Sequence, residues 1–572
     1  MRFFIFGIFF LVTTLSMAQK QKLPEKAFMP PLDIKLYLSG TFGELRTDHL
    51  HSGIDIKTQG VEGKKVISIA DGHISRIKVS PGGFGKALYI THPNGYTSVY
   101  AHLKKFNDSI AAYVKDEQYK RKSFTLNLFP DKNEFPVKQG DIIASSGNSG
   151  GSLGPHLHFE IRETATEKPV NPLFFGFPVK DYVRPRISYL KVYQLGVHED
   201  DYAKSARRIK VDGWGLKHRL RGEDTIGFSG NLAFGIAVDD QSNDMPNRNG
   251  VYSVELYIDS VLFFENKMDA FRFSESRYIN SLIDYAEFVE SKIRFLRTEI
   301  DPNNKLPVYG KVENRGIYIP TDTLVHPVKY IVKDAIGNTS ELNFYIQHQL
   351  GGIEVKTLDS PPDPSQFFLW QEMNAYEQED FKLSSPKEAF YRDFVFTHSV
   401  SPKSDELFSN IHHVHRESTP VHKYLKMSIR AENIPEHLKD NVLVVKLDEN
   451  GEYSSAGGHW EGNFVSTSIR EFGKYSLAVD TVAPEIRPVN IHNGKRISAY
   501  RSIKIRIDDS LAGIDEYEPS INGNWILMEY DPKNKLLTYF IDDHLPEGES
   551  LFELKVNDLR GNIATYRATL IY

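Results

Sequence analysis

From Lys64 onward, short apolar runs alternate with Gly- and Asn-containing turns: Val66 to Ala70 then Asp71-Gly72, Ile74 to Val79 then Pro81-Gly82-Gly83, Ala87 to Thr91 then Pro93-Asn94-Gly95, and Tyr96 to Leu103. Hairpin punctuation at this spacing predicts an antiparallel β domain. The stretch 107–134 breaks the pattern; it is polar, charged from Lys115 to Lys122, and reads as an irregular insertion between two strands. Val137 to Ser146 resumes the sheet. A Gly-rich turn from Gly147 to Pro155 then leads into Leu157 to Arg162, and Pro169 to Pro178 reads as the exit from this first domain.

Beyond the exit, helical periodicity is confined to about 274–296 and strands dominate. Val238-Asp239-Asp240 and Val332-Lys333-Asp334-Ala335-Ile336-Gly337-Asn338 are echoed by Ile507-Asp508-Asp509 and Val556-Asn557-Asp558-Leu559-Arg560-Gly561-Asn562. Each Gly-Asn turn introduces a final strand, Leu342 to Ile346 or Ala564 to Ile571, which predicts β-sandwich modules of immunoglobulin-like type. The expected layout is a signal peptide at 1–18, a first domain at 28–178, a β-sandwich at 180–350, a β-rich accessory module of open fold at 351–480 and a terminal immunoglobulin-like sandwich at 481–572. Asp480 to Pro484 forms the last linker. The fold class is therefore mainly β.

The signal-peptide reading rests on Arg2, the nearly all-apolar run Phe3 to Met17, and Ala18 before Gln19-Lys20-Gln21-Lys22. About 15 apolar residues fall short of the roughly 20 that span a bilayer, so cleavage after Ala18 and export to the periplasm or cell exterior are expected, with no transmembrane segment in the mature chain. Composition narrows the chemistry further. At 572 residues the chain is long enough for about four domains, and its net charge of -6 gives no bias toward nucleic acid. It has no cysteine, which excludes disulfides, thiol catalysis and Cys-ligated metal and leaves His and carboxylates as metal ligands.

Those residue types gather in two places, His51-Ser52-Gly53-Ile54-Asp55 and His156-Leu157-His158. In extended chain, residues two or four apart share a face, so each pair can converge on one site. Two imidazoles and one carboxylate leave a tetrahedral zinc ion with an open position, the ligand count of a catalytic centre. His102, in Tyr100-Ala101-His102-Leu103, is a further candidate.

With Ala70-Asp71-Gly72, Gly82-Gly83-Phe84-Gly85, Asn94-Gly95-Tyr96, Gly140-Asp141, Gly147-Asn148-Ser149-Gly150 and Gly154-Pro155-His156-Leu157-His158-Phe159-Glu160, these residues resemble the lysostaphin-type (LytM-like) zinc endopeptidases that cut peptide cross-links in bacterial cell walls. The resemblance spans about 40–172. It implies an antiparallel sheet of the duplicated hybrid motif type, one zinc ion held by His51, Asp55 and His158, and catalytic roles for His102 and His156 beside the metal-bound water. The insertion at 107–134 departs from the family pattern.

Other candidates take structural readings. His49 could face the same side as His51, His73 and His92 sit in turns and are expected to be exposed, and the His412-His413-Val414-His415 cluster with His422 lacks a matching carboxylate arrangement. Asp239-Asp240 and Asp508-Asp509 fit loop capping better than calcium binding, since no complete oxygen-ligand loop is spelled out. The function expected is an exported zinc metalloendopeptidase acting on peptidoglycan peptide stems, with C-terminal modules that position or restrain the catalytic domain or contact an envelope partner. Two alternatives stand beside it: a catalytically silent envelope scaffold or hydrolase activator, and a metallopeptidase on non-wall peptides.

Overall fold

Alternation decides the faces of the first domain. In the strand His156–Glu163, the side chains of Leu157, Phe159 and Ile161 are fully buried in the core, while His156, His158, Glu160 and Arg162 share the other face. Ile54 and Ile56 flank Asp55 in the same way. Each such apolar side chain contributes about 1.5–3 kcal/mol on burial, so slipping either strand by one residue would expose the core set and bury the polar one.

The computed structural model describes residues 28–195, 206–243, 245–350 and 366–572. The N-terminal segment assigned to export lies outside these residues, and no described helix is long and apolar enough to cross a membrane. The first domain contains β1 (Leu38–Gly40), β2 (Ile54–Lys57), β3 (Lys65–Ile67), β4 (Gly72–Val79), β5 (Ala87–Thr91), β6 (Tyr96–Ala101), β7 (Leu103–Phe106), α1 (Asp108–Arg121), β8 (Leu126–Leu128), β9 (Pro136–Val137), β10 (Ile142–Ser146), β11 (His156–Glu163) and β12 (Pro169–Val170). Its main sheet runs β1-β2-β11-β6-β5-β4-β8, with β12 on β11 and β9 on β4. A second sheet, β3-β10-β7, packs with it around one core. All the described strand pairs of this domain are antiparallel, as the hairpin pattern predicts.

The insertion is not irregular: its first half is the 14-residue helix α1. Asn107 caps it by accepting from the Ile110 amide at 3.1 Å, and Lys122 ends it in left-handed conformation, φ 49°.

Three β modules follow. Between Arg186 and His348, eleven strands form one sheet folded around a shared core, with the strand Ala206–Trp214 pairing in both halves. Residues 374–479 form two five-stranded sheets over a second core, and 485–571 a four-stranded and a five-stranded sheet over a third. The modules close into a ring. Thr41 Oγ1 donates to the Gly250 carbonyl at 3.0 Å, joining the first domain to the second. The Tyr391 hydroxyl donates to the Arg277 carbonyl at 2.7 Å, joining second to third. Arg560 Nη1 donates to the Val442 carbonyl at 2.9 Å, joining third to fourth. Finally, Lys86 pairs with Glu529 at 2.8 Å, while Leu527 and Tyr530 of the fourth module pack on the first domain's core.

Candidate metal centre

The register of β2 against β11 places Asp55 directly opposite His158. His51 reaches the same point from the loop before β2, where its Nδ1 lies 2.8 Å from the Thr41 carbonyl oxygen. The strand-spacing argument therefore holds for His156 and His158, whereas His51 converges through its loop. His51 Nε2, Asp55 Oδ1 and His158 Nδ1 lie 3.0–3.1 Å from one another, in a site where the three residues are 4–8 % exposed.

The neighbours determine which atoms face inward. A carbonyl can only accept, so His51 carries its proton on Nδ1 and presents a bare Nε2. Glu160 Oε1 lies 2.9 Å from His158 Nε2, which leaves His158 Nδ1 as the inward atom. Arg46 Nη2 donates to Asp55 Oδ2 at 2.9 Å, leaving Oδ1 for the centre. Gly40 makes room for that pair: a Cβ there would lie 2.6 Å from both Asp55 Oδ2 and Arg46 Nη2.

Charge is concentrated accordingly. Burial works to raise the Asp55 carboxyl, but His51, His156 and His158 outweigh it and hold it well below the usual carboxylate range. Burial likewise opposes protonation of His158, yet Asp55 and Glu160 push it up to about 9. Glu160 is held near about 2 against its burial, chiefly by Arg162, whose Nε donates to Glu160 Oε2 at 2.6 Å. The Ser52 hydroxyl also donates to Glu160, at 2.5 Å.

Two imidazole nitrogens and a carboxylate oxygen at mutual hydrogen-bonding distance need positive charge among them. With His158 pushed up to about 9 a proton supplies it, and a metal ion in that place would displace the proton. The donor set is that of zinc, with the outward nitrogens of both imidazoles held by a carbonyl and a carboxylate as metal-binding histidines require.

His102 and His156 stand beside this centre with ring centroids 4.8 Å apart. His102 lies at the β6–β7 junction with φ 58°, and its Nδ1 is 2.9 Å from the Ser149 carbonyl. Burial, then the charges of His158 and His156, push it down to about 3. His156 Nδ1 is 2.8 Å from the Gly154 carbonyl, and its Nε2 lies 3.5 Å from Asp55 Oδ1. Both rings thus hold a proton outward on Nδ1; His102 keeps Nε2 bare, while His156 turns its Nε2 to Asp55. The Gly147–Pro155 turn that supplies these carbonyls is locked by Gly150, φ 70°, where a Cβ would meet the Gly85 amide at 2.4 Å.

His49 turns away to Asp48, 2.8 Å distant and exposed. His92 is not exposed as its turn suggested; it is 3 % exposed, between the Asp71 carbonyl and Ser98 Oγ. In the accessory module, His413, His415 and His422 approach Ser401, Thr419 and Tyr391 respectively, and His412 stacks on Phe381. Sequence reasoning missed Arg46, Ser52, Glu160 and Arg162. For Glu160 and Arg162 the signal was present, because they continue the His156–His158 alternation at steps of two.

Residues 49–119 and 130–172 match Peptidase family M23, the break falling inside the insertion, and residues 365–480 match a Zu5-like domain. The DD-carboxypeptidase/endopeptidase Mpg of Neisseria meningitidis serogroup B is 32 % identical over 178 residues, 31 % of each chain. The murein hydrolase activator NlpD of Escherichia coli is 34 % identical over 123 residues, 22 % of this chain and 25 % of that one. The chain thus spans about a third or less of the length of these curated relatives. A zinc-containing peptidase from Vibrio cholerae is 28 % identical in the aligned part, which covers 26 % of this chain and 39 % of that structure, with a TM-score of 0.19.

Proposed function

We propose that this chain, which carries an M23 peptidase domain, is an exported zinc metalloendopeptidase that hydrolyses peptide bonds in peptidoglycan. The observation that carries the reading is the convergence of His51 Nε2, Asp55 Oδ1 and His158 Nδ1 beside two further imidazoles whose Nδ1 atoms are held outward by backbone carbonyls. His51, Asp55 and His158 would hold one zinc ion. A zinc ion bound there supplies a Lewis acid for a peptide carbonyl and acidifies water near neutral pH.

The remaining tasks fall to the chain's own side chains. Amide hydrolysis needs a group to take a proton from water and one to deliver a proton to the leaving amine. The depressed basicity of His102 keeps it neutral at physiological pH, so its Nε2 is available to accept a proton or a hydrogen bond. His156 faces Asp55 from the same side, and the carbonyls of Ser149 and Gly154 fix both ring planes. The wall-peptide substrate is supported by similarity to a DD-carboxypeptidase/endopeptidase and to a murein hydrolase activator, over 31 % and 22 % of this chain.

The test is digestion of purified cross-linked muropeptides with and without chelator. Loss of cross-links that stops on chelation and returns with zinc is expected. His102→Ala should retain zinc while its turnover falls by about 10²–10⁴-fold. Intact muropeptides under all conditions would favour a scaffold or activator role instead, and cleavage confined to non-wall peptides would replace the substrate class.

A further inference from the structure

A second group of converging acceptors lies where the first domain meets the second module. Asp181 comes from the linker, Asp240 follows the strand Asn231–Asp239, and Asp334 opens the turn before the strand Thr339–His348. One oxygen from each lies within 4.8 Å of the others, and the residues are 6 %, 3 % and 4 % exposed. Oδ1 of Asp240 has no hydrogen-bond partner. Neither has Oδ1 of Asn249, also 3 % exposed. Asn249 and Asp240 exchange backbone hydrogen bonds at 2.8 and 2.9 Å, and directly opposed residues of such a pair project to one face. Asp240 Oδ1 is thus an orphaned buried oxygen within the carboxylate group, and Asn249 holds a second one at the opposed backbone position. All three aspartates, with Thr41, Gly250 and Tyr252, line one small cavity at the junction.

We propose that Asp181, Asp240 and Asp334 hold a hard divalent cation, calcium by the chemistry of its all-oxygen ligands, at the junction of the peptidase domain and the second module. The molecule supplies its own comparison. Asp480, Asp509 and Asp558 repeat the arrangement at the start of the fourth module. Asn562 Nδ2 donates to the Asp480 carbonyl at 2.9 Å as Asn338 Nδ2 does to the Asp181 carbonyl at 3.1 Å, and Asp558 and Asp334 each accept amides of their own turns. Backbone amides reach Asp181 Oδ1, from Val183 at 3.0 Å, and Asp334 Oδ1, from Ile336, Gly337 and Asn338, and leave Asp240 Oδ1 without a partner. In the fourth module amides bind each of the three carboxylates. Asp480 Oδ2 accepts the Ala512 amide at 2.8 Å, and Asp509 Oδ2 accepts Leu511 and Gly513 at 3.1 and 2.7 Å. Asp509 Oδ1 is also without a partner, but that residue is partly exposed and two amides already face its carboxylate. Around Asp240 the dominant charges are Asp334 and Asp181, and with burial they push its carboxyl up to about 8. A buried, like-charged trio that leaves Asp240 Oδ1 bare requires either a proton or a cation, and an all-oxygen ligand set of this kind is what calcium takes.

The full-length chain, saturated with zinc and freed of calcium, tests this by titration with calcium chloride and separately with terbium chloride. One saturable site is expected, with a rise in melting temperature of several degrees and sensitised terbium emission, and neither readout depends on hydrolysis. Asp240→Asn should weaken binding at least tenfold while melting at or above the parent in cation-free buffer, since it removes a repelling charge. Three results overturn the assignment: no cation-dependent shift, undiminished binding by Asp240→Asn, or binding lost on Asp509→Asn instead. A lower melting point of Asp240→Asn already without cation also overturns it, because it marks Asp240 as a structural acceptor.

Discussion

Glu160 shows how much of the candidate metal centre rests on a residue that touches no inward-facing atom. It binds His158 Nε2, Ser52 and Arg162, and it is fully buried. Glu160→Gln preserves its volume but removes the charge that orients His158 and neutralises Arg162. Zinc affinity should fall about 10–100-fold, read by competition with a chromogenic chelator. Stability should fall by about 3 kcal/mol, because Arg162 stays buried with only Glu167 at 3.2 Å; unaltered zinc affinity would show that His158 is oriented by packing alone. His156 and His158 are brought together by the strand spacing that the sequence shows, whereas His51 arrives through its loop and Asp55 through the register of β2 against β11. The groups that select their protonation are not legible in the sequence: the Thr41, Ser149 and Gly154 carbonyls are backbone atoms, common to every residue type. Arg46 reaches Asp55 through a loop whose course no alternation encodes.

At the scale of elements, the strands were legible and α1 was not. Its buried residues are Ile110, Val114 and Gln118, a repeat of four whose third member is polar, so the apolar stripe ends after one turn while the helix continues. What the helix packs against explains the departure. Tyr119 stacks on His544 with centroids 3.7 Å apart, and both Tyr119 and Lys115 bind Asp542, at 2.9 and 2.7 Å. Burial acts to raise the Asp542 carboxyl, but Lys115, Tyr539, the His544 amide and Tyr119 hold it near about 2. Its folded pKa lies below the usual value of roughly 3.9, so its contribution to docking is complete above about pH 4 and is lost as pH falls toward about 2. Trp525, edge-on to Tyr119 at 5.4 Å, reports this contact. Its emission should be constant from about pH 5 to 8 and change below about pH 3, and Asp542→Asn should show the altered emission throughout. A wild-type transition near pH 6 would assign the docking to another group.

For the whole molecule, turn grammar and linkers predict a succession of β modules, but nothing local predicts their closure into a ring. Its contacts join residues hundreds of positions apart, such as Lys86 with Glu529, and no local pattern marks such a pair. The most consequential contact is Lys533, whose ammonium donates to the carbonyls of Asn148, Gly150 and Ser152, on the turn that also orients His102 and His156. Lys533→Ala should raise amide exchange across 147–154 by about tenfold, measured by mass spectrometry, because the turn loses three of its carbonyl partners. Unchanged exchange would show that Gly85 and Gly150 hold the turn unaided.

Because the fourth module is tethered through two others to the surface it covers, it competes there as an intramolecular ligand. Its effective concentration is set by the geometry of the ring and not by how much protein is present. Diluting the protein leaves that contact in place, and any molecule that docks on the same surface must displace a resident ligand before it gains anything of its own.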